Sequence, residues 1–525
     1  MSTLQVLRRG YCRAYFATMC IRRRYLRATL ERKSQQKQRF LSSGMDAFME
    51  FEREIALKRK NKEKLLEYEQ SLKSQNQQKG PTSPAPKYNL LFYSIKNSEE
   101  ISSKRQKLVI DEDRTVFKVT DNNVISAPHQ TTDGTWRSVH QIDFGIRNEQ
   151  QELVSSQASN VGVYVPNDQS LVNRMLDYLQ VEDPEAVFVA EPIANAARNS
   201  QQQSSLLLQP LQLPPFSRIG TIRNALKWAF DLTSTPRPGF LRSLAAYALE
   251  KNDVAALMSP GIAAAIFETE SQHQNLTVVD IFSHFSSIRL NFADFFQIVP
   301  RNATRYYSIS SSRRLFPDTF SITLGLQKAD TLPIPRCSSY LAMLKQGDVV
   351  RASFRPSSFV YPVHDHRLMM FISSGTGIAP FRAFLQDLKH EVDASVPKLR
   401  SAYLFYGCRE ASRDFLYGEE LQSALNSKVL DQLHVEFSDE SGHRKRYVQD
   451  ALLDRSELVA RHLLIDEGYI YICGSIAMGL AVRKAIITAI IQHSQFSKGA
   501  IATEADAKRF VMLKLEEKII VTELW

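Results

Sequence analysis

The stretch "RLMMFISSGTGIAPFRAFLQDLKHEV" (Arg367 to Val392) constrains what this chain can fold into more than any other. A short apolar run meets a Gly-x-Gly turn, and a segment with apolar groups at helical spacing follows. Gly375 and Gly377 let the backbone turn and approach a ligand closely, and Pro380 suits the first turn of a helix, where its missing N–H is not needed. Strand-like and helix-like pieces then alternate to the end: "RSAYLFYG", "FLYGEELQSAL", "QLHVEFS", "RYVQDALL", "GYIYICG", "GLAVRKAIITAIIQH". Such alternation predicts a doubly wound parallel sheet over 367–525. Its first strand-to-helix turn, Gly375, Thr376 and Gly377, is a candidate pyrophosphate site, because the helix behind it offers unpaired N–H groups and the positive end of its dipole.

Upstream the pattern changes. Residues 136–166 read as strands ("RSVHQIDFGI", "VGVYVP"), 170–180 as a short amphipathic helix, 219–300 as helical throughout, and 303–373 again as strands. Between them, "QQQSSLLLQPLQLPP" reads as a loop. No run of about 18 uncharged apolar residues is present, so a membrane-spanning helix is not expected. Five cysteines (Cys12, Cys20, Cys337, Cys408, Cys473) are too few and too scattered for a disulfide scaffold or a zinc module, and no metal site is read. A reducing compartment fits them.

The net charge of +10 is an N-terminal property: residues 1–44 hold eleven Lys/Arg and one acid, Glu31, and the rest of the chain is balanced. Nucleic acid is therefore not an expected partner of the folded core. The first thirty residues are Arg-rich and free of acids, and "RFLSS" (Arg39 to Ser43) resembles a processing site, so 1–44 is expected to be a mitochondrial presequence and the protein a matrix protein. The alternative is a basic tail that stays and touches RNA or lipid. Residues 46–75 mix charges over a helical period, as a solvated helix or partner-binding arm would, and a linker follows to about residue 85.

Two further stretches carry candidate chemistry. In "TRYYSISSS" (Thr304 to Ser312), Arg305 and Tyr307 fall on one face of a strand, where one can neutralise a phosphate while the other lies against a ring. Alternating Tyr and Ser is also common in plain strands. "FSDESGHRKRYVQ" gathers Ser438, Arg444, Lys445, Arg446 and Tyr447 beyond a strand end, either as a clamp for an extra phosphate or as a solvated basic loop.

Taken together, "VGVYVPNDQSLV", "LKWAFDLTSTPRPGFLRSLAAYALE", "RYYSISSS", "SSGTGIAPFRAFLQ", "LFYGCRE", "DFLYGEEL", "KRYVQ" and "YIYICGS" occur in the order found in the diflavin reductases. From about residue 135 to 525 the chain resembles their FAD/NADPH half, as in NADPH-cytochrome P-450 reductase and the sulfite reductase flavoprotein. The resemblance implies an antiparallel FAD-binding β-barrel over 86–204 and 301–366, an inserted helical subdomain over 205–300, and the NADP(H) domain over 367–525. It implies that Arg305 binds the FAD pyrophosphate, that Tyr307 packs on the isoalloxazine, and that Ser308 sits near the reactive nitrogen. Cys337 and Ser338 of "PRCSSYL" would complete the FAD site. NADPH would be held by Gly375, Thr376, Gly377, Cys408 and Arg409, with Cys473 and Gly474 beside the nicotinamide. Ser438, Lys445, Tyr447 and Gln449 would hold its adenosine phosphate. In "VTELW", Glu523 and Trp525 match an acid and a flavin-covering aromatic, so Ser308, Cys473, Glu523 and Trp525 form the implied catalytic set.

Some positions depart from the family pattern. Ser159 and Asn160 stand where Gly-Asp is usual, Pro335 replaces the FAD-loop glycine, Asp439 replaces an arginine, and Ser475 replaces an acid. No flavodoxin pattern is read in residues 1–130, so electrons are expected to leave through a separate protein acceptor. The rival expectation is a structural subunit of a mitochondrial complex that has recruited the fold.

Overall fold

The computed structural model describes residues 84–93, 116–126, 128–130, 135–150, 159–192, 219–259, 277–328, 336–359, 367–393, 401–440, 442 and 444–525. The presequence expected over 1–44, the charged helix over 46–75 and Pro335 lie outside the described residues. Among the described residues, no helix is long and apolar enough to cross a membrane.

Strand β1 (Tyr88–Tyr93) is followed by β2 (Val116–Val124), β3 (His129–Gln130), β4 (Trp136–Gly145) and β5 (Asn160–Tyr164). Next come β6 (Val187–Pro192), β7 (Ile219–Thr221), β8 (Arg305–Ser308), β9 (Thr319–Lys328) and β10 (Val349–Arg355). A curled antiparallel sheet runs β3-β4-β2-β10-β5-β8, with β9 on β4, and an Ile309–Ile322 bridge brings its two ends together. Period-2 alternation builds it: His140, Ile142 and Phe144 of β4 point inward, and Ile142 and Phe144 sit opposite Ile322 and Phe320 of β9. The Phe144 and Phe320 rings stack with centroids 5.0 Å apart.

Two strands inside the segment expected to form the barrel do not join it. Instead β1 and β6 pair with each other and with β7 in a separate three-stranded sheet. The reason is burial: Phe92 and Phe188 pack on Phe292, and Phe188 also on Phe296, in the aromatic core of the inserted subdomain. That subdomain is not helical throughout. Its described helices are short (Ile222–Trp228, Pro238–Leu244, Lys251–Met258, Val278–His284, Phe292–Ile298), and Thr221, Thr277 and Asn291 cap three of them. Arg301 joins this core to β8, its guanidinium 4.2 Å from the Phe296 ring centre and 4.9 Å from that of Phe230; burial lowers its pKa to about 10.

The remaining strands, β11 (Met369–Ser374), β12 (Ala402–Cys408), β13 (Gln432–Phe437), β14 (Tyr469–Gly474) and β15 (Ile520–Leu524), form a parallel sheet ordered β13-β12-β11-β14-β15. Both faces are covered, by clusters around Phe371, Leu404 and Tyr471 on one side and Ile372, Phe405 and Ile472 on the other. This is why these strands read as unbroken apolar runs. The doubly wound sheet and the antiparallel barrel thus stand as expected.

His462 is fully buried beneath this sheet; its Nε2 lies 2.9 Å from the Tyr469 carbonyl oxygen, and burial lowers its pKa to about 4. The folded state resists the proton that the unfolded chain accepts below about pH 6.5, so stability is full above that value and falls as pH drops toward 4. The expected loss from this residue between pH 7 and pH 5 is about 2 kcal/mol. Urea unfolding at both pH values should show His462→Gln losing less than the parent on acidification; an equal loss would show that the ring is not responsible.

Candidate active site

The site begins where β15 pairs with β14. Register sets Ser373, Cys473 and Glu523 side by side across three strands. The Trp525 amide donates to the Gly474 carbonyl (3.1 Å), and the Trp525 carbonyl accepts from the Ile476 amide (3.0 Å). Its backbone is thereby fixed while the indole stays 58% exposed.

The Glu523 carboxylate reaches across to the barrel and accepts from the Asn160 amide (3.2 Å), the Ser308 hydroxyl (3.4 Å), the Ser357 hydroxyl, and the Ser358 backbone N–H (3.0 Å) and hydroxyl (3.2 Å). Asn160 also accepts from Ser308 (3.2 Å), so strand β5, strand β8 and the turn after β10 converge on one side chain. Sequence reasoning marked Asn160 only as a departure and missed Ser357 and Ser358. "RPSSF" carries no motif that would single them out. Cys473 lies fully buried behind this group, its thiol pushed well above its ordinary range by burial first and by Glu523 second. It stays protonated.

On β8, Arg305 is exposed and Tyr307 half-buried, with the Tyr307 hydroxyl donating to Cys337 Sγ at 3.2 Å and within reach of Ser338. Burial raises the pKa of both the phenol and the Cys337 thiol. The helix Arg336–Ala342 is tied down by Arg336, which donates to the Val165 carbonyl (2.9 Å), and the buried Ser339 hydroxyl has no hydrogen-bond partner among the described residues. A cation, the Ser338 hydroxyl and a fixed phenol thus lie close together, a donor set that fits a flavin and its pyrophosphate.

A cleft of about 630 Å³ runs between barrel strands β4 and β9 and the C-terminal ends of β11 to β14. Gly375 borders it in the left-handed region (φ +54°), which glycine adopts without penalty, and its carbonyl accepts from the buried Tyr406 hydroxyl at 3.2 Å. Gly377 lies beneath the surface, where a β-carbon would meet the Cys473 carbonyl oxygen at 2.2 Å. Of the residues expected to hold NADPH, Gly375, Thr376, Cys408, Arg409, Ser438, Tyr447 and Gln449 line the cleft, and Trp525, expected to cover the flavin, lines it too. Gly377, Cys473 and Gly474 are buried behind it, and Lys445 is exposed, its ammonium 5.8 Å from the Tyr447 ring centre. Burial, with Asp414 nearby, raises the Cys408 thiol. Arg137 and Ser138 of the barrel also border the cleft and were not foreseen. The glycine turn at the strand ends fits a dinucleotide pyrophosphate.

Comparison with protein families assigns residues 116–336 to the FAD binding domain and 371–484 to the oxidoreductase NAD-binding domain, matching the barrel with its insertion and the parallel sheet. The chain carries the FAD/NADPH module of the diflavin reductase family. Its cofactors are FAD and NADPH. The module is 31% identical over 366 residues to NADPH–cytochrome P450 reductase of Dictyostelium discoideum, covering 67% of this chain and 51% of that protein. It is 29% identical to nitric oxide synthase 3 of Sus scrofa (64% of this chain, 28% of the relative) and 28% identical to the inducible nitric oxide synthase of Canis lupus familiaris (73% and 32%). This diflavin reductase module therefore spans about half the length of these relatives or less.

Proposed function

We propose that the protein is an NADPH-dependent flavoprotein reductase that passes electrons to a separate acceptor protein. FAD, when bound, supplies the conversion of a two-electron donor into single-electron transfers. Arg305, Cys337 and Ser338 hold its phosphates, and Tyr307, braced on Cys337, lies against its ring. Ser308, Cys473 and Glu523 border the reacting edge, where Glu523 orients the Ser308 hydroxyl and Cys473 contributes an uncharged thiol. Trp525 covers the ring until the nicotinamide displaces it. The turn at Gly375, Thr376 and Gly377 holds the NADPH pyrophosphate, with Cys408 and Arg409 flanking it, Gly474 beside the nicotinamide, and Ser438, Lys445, Tyr447 and Gln449 at the adenosine. The observation that supports this reading is the convergence of Asn160, Ser308, Ser357 and Ser358 on Glu523, which ties strand β8 of the barrel to the strand that ends at Trp525.

The acceptor is a flavodoxin-like, iron–sulfur or haem protein, a reading supported by the cytochrome P450 reductase relative. Residence in the mitochondrial matrix is supported by the Arg-rich, acid-free first thirty residues; a tagged chain that fails to co-localise with a matrix marker would remove it. The purified chain should be yellow and bleach anaerobically with NADPH. A colourless protein that FAD cannot reconstitute would end the reductase reading, and FAD retained without bleaching would favour a structural subunit.

Trp525→Ala tests the covering role. Because an aromatic stacking contact contributes about 0.5–1.5 kcal/mol, the KM for nicotinamide nucleotide should fall by up to about tenfold as the competing indole is removed. Steady-state kinetics unchanged from the parent would count against the cover.

A further inference from the structure

We propose that the cleft accepts NADH on nearly equal terms with NADPH, with Asp439 as the residue that sets this. The inference rests on the dinucleotide reading of the cleft. One end of the cleft carries Trp525 and Ser475, next to the Glu523 cradle, and the other carries Ser438 at the end of β13 and Tyr447 at the start of the helix Val448–Asp454. With the nicotinamide at the first, the adenosine lies at the second. The 2'-phosphate that distinguishes NADPH adds close to two negative charges there.

The charges at that end do not suit such a group. Arg446 is held by Glu436 through two bonds (2.8 and 3.0 Å) and by Asp454 as well, so its charge is already spent within the protein. Arg409 shares its field with Asp414. Arg444 and Lys445 are exposed, and cations on long solvated side chains contribute little unless held in place. Opposing them, Asp439, also exposed but with its backbone amide anchored on the Arg409 carbonyl (2.9 Å), follows Ser438 directly, and Glu440 accepts from the Ala411 amide (2.9 Å). Around this end the described acids Asp414, Glu436, Asp439, Glu440 and Asp454 offset the cations Arg137, Arg409, Arg444, Lys445 and Arg446, and Arg137 and Arg409 both act on Asp414. A dianion gains little in that field. A ribose with a plain 2'-hydroxyl is neutral and can donate, and a carboxylate at a strand end is the acceptor that such a hydroxyl uses in dinucleotide folds.

The test uses the full FAD-loaded chain and two fragments, 2',5'-ADP and 5'-AMP, titrated calorimetrically at about 0.1 M salt, where charges more than a Debye length apart are screened. The expected dissociation constants lie within about tenfold of each other, and Asp439→Arg tightens 2',5'-ADP by about tenfold without tightening 5'-AMP, whose 2'-hydroxyl loses its acceptor. A parent preference for 2',5'-ADP above about a hundredfold, an Asp439→Arg variant with the parent's selectivity, or binding of neither fragment overturns the proposal. Anaerobic bleaching with each dinucleotide is read in parallel. If neither bleaches the flavin, the reductase reading fails, and the fragment titrations still decide the inference.

Discussion

In Glu523→Ala, anaerobic flavin reduction by NADPH should slow by roughly a hundredfold while FAD remains bound, the size of effect seen when one preorganised electrostatic partner is removed from a reacting centre. The carboxylate is the shared acceptor for donors from three barrel segments, and alanine leaves the Asn160, Ser308 and Ser357 donors without it. Ser308 then loses its orientation, and the last strand loses its side-chain tie to the barrel. Glu523→Gln should fall between, by about tenfold, because its carbonyl oxygen still accepts while its amide faces groups that are themselves donors. Stopped-flow absorbance of the flavin reads both variants. Rates within threefold of the parent in both would mean that the cradle is a packing detail.

Gly377→Ala should destabilise the parallel-sheet half by about 3 kcal/mol and abolish bleaching by NADPH at ordinary concentrations, whereas Gly375→Ala should cost about 1 kcal/mol. The added β-carbon at Gly377 meets backbone: the Cys473 carbonyl oxygen at 2.2 Å, its carbon at 2.8 Å and Gly474 Cα at 3.2 Å. Backbone cannot rotate aside as a side chain can, so the turn or β14 must move, and the start of the helix Ala379–Asp393 moves with it. At Gly375 nothing lies within 4 Å of a β-carbon, and the penalty is the left-handed conformation alone. Thermal melts and NADPH titration of the two variants should therefore diverge. Equal effects would contradict the close approach of turn and strand.

The parts of the fold and site that were legible in the sequence are those set by neighbours along the chain. Unbroken apolar runs such as "MMFIS" mark strands covered on both faces, and alternation in "VHQIDF" marks strands covered on one. The Gly-x-Gly turn is local chemistry, as is the pairing of Arg305 with Tyr307 on one strand face. Where a distant residue intervenes, the local pattern misleads. "FLYGEELQSAL" reads as one helix, yet the chain breaks at Tyr417, which turns left-handed (φ +57°) and bonds to Thr323 at 2.8 Å, ninety-four residues away. Likewise β1 falls within the segment that the family pattern gives to the barrel, and the phenylalanine core of the inserted subdomain draws it elsewhere.

By itself, then, the sequence determined the barrel, the wound sheet and the two cofactors, because period, turn and motif are encoded within a few residues of one another. Tertiary structure alone decided that Asn160, Ser357 and Ser358 hold Glu523, at separations of 363, 166 and 165 residues, and that Arg446 is occupied by Glu436 and Asp454. A lone serine or a basic run has no preferred partner until packing brings one within hydrogen-bond distance, and no local pattern records which partner that will be.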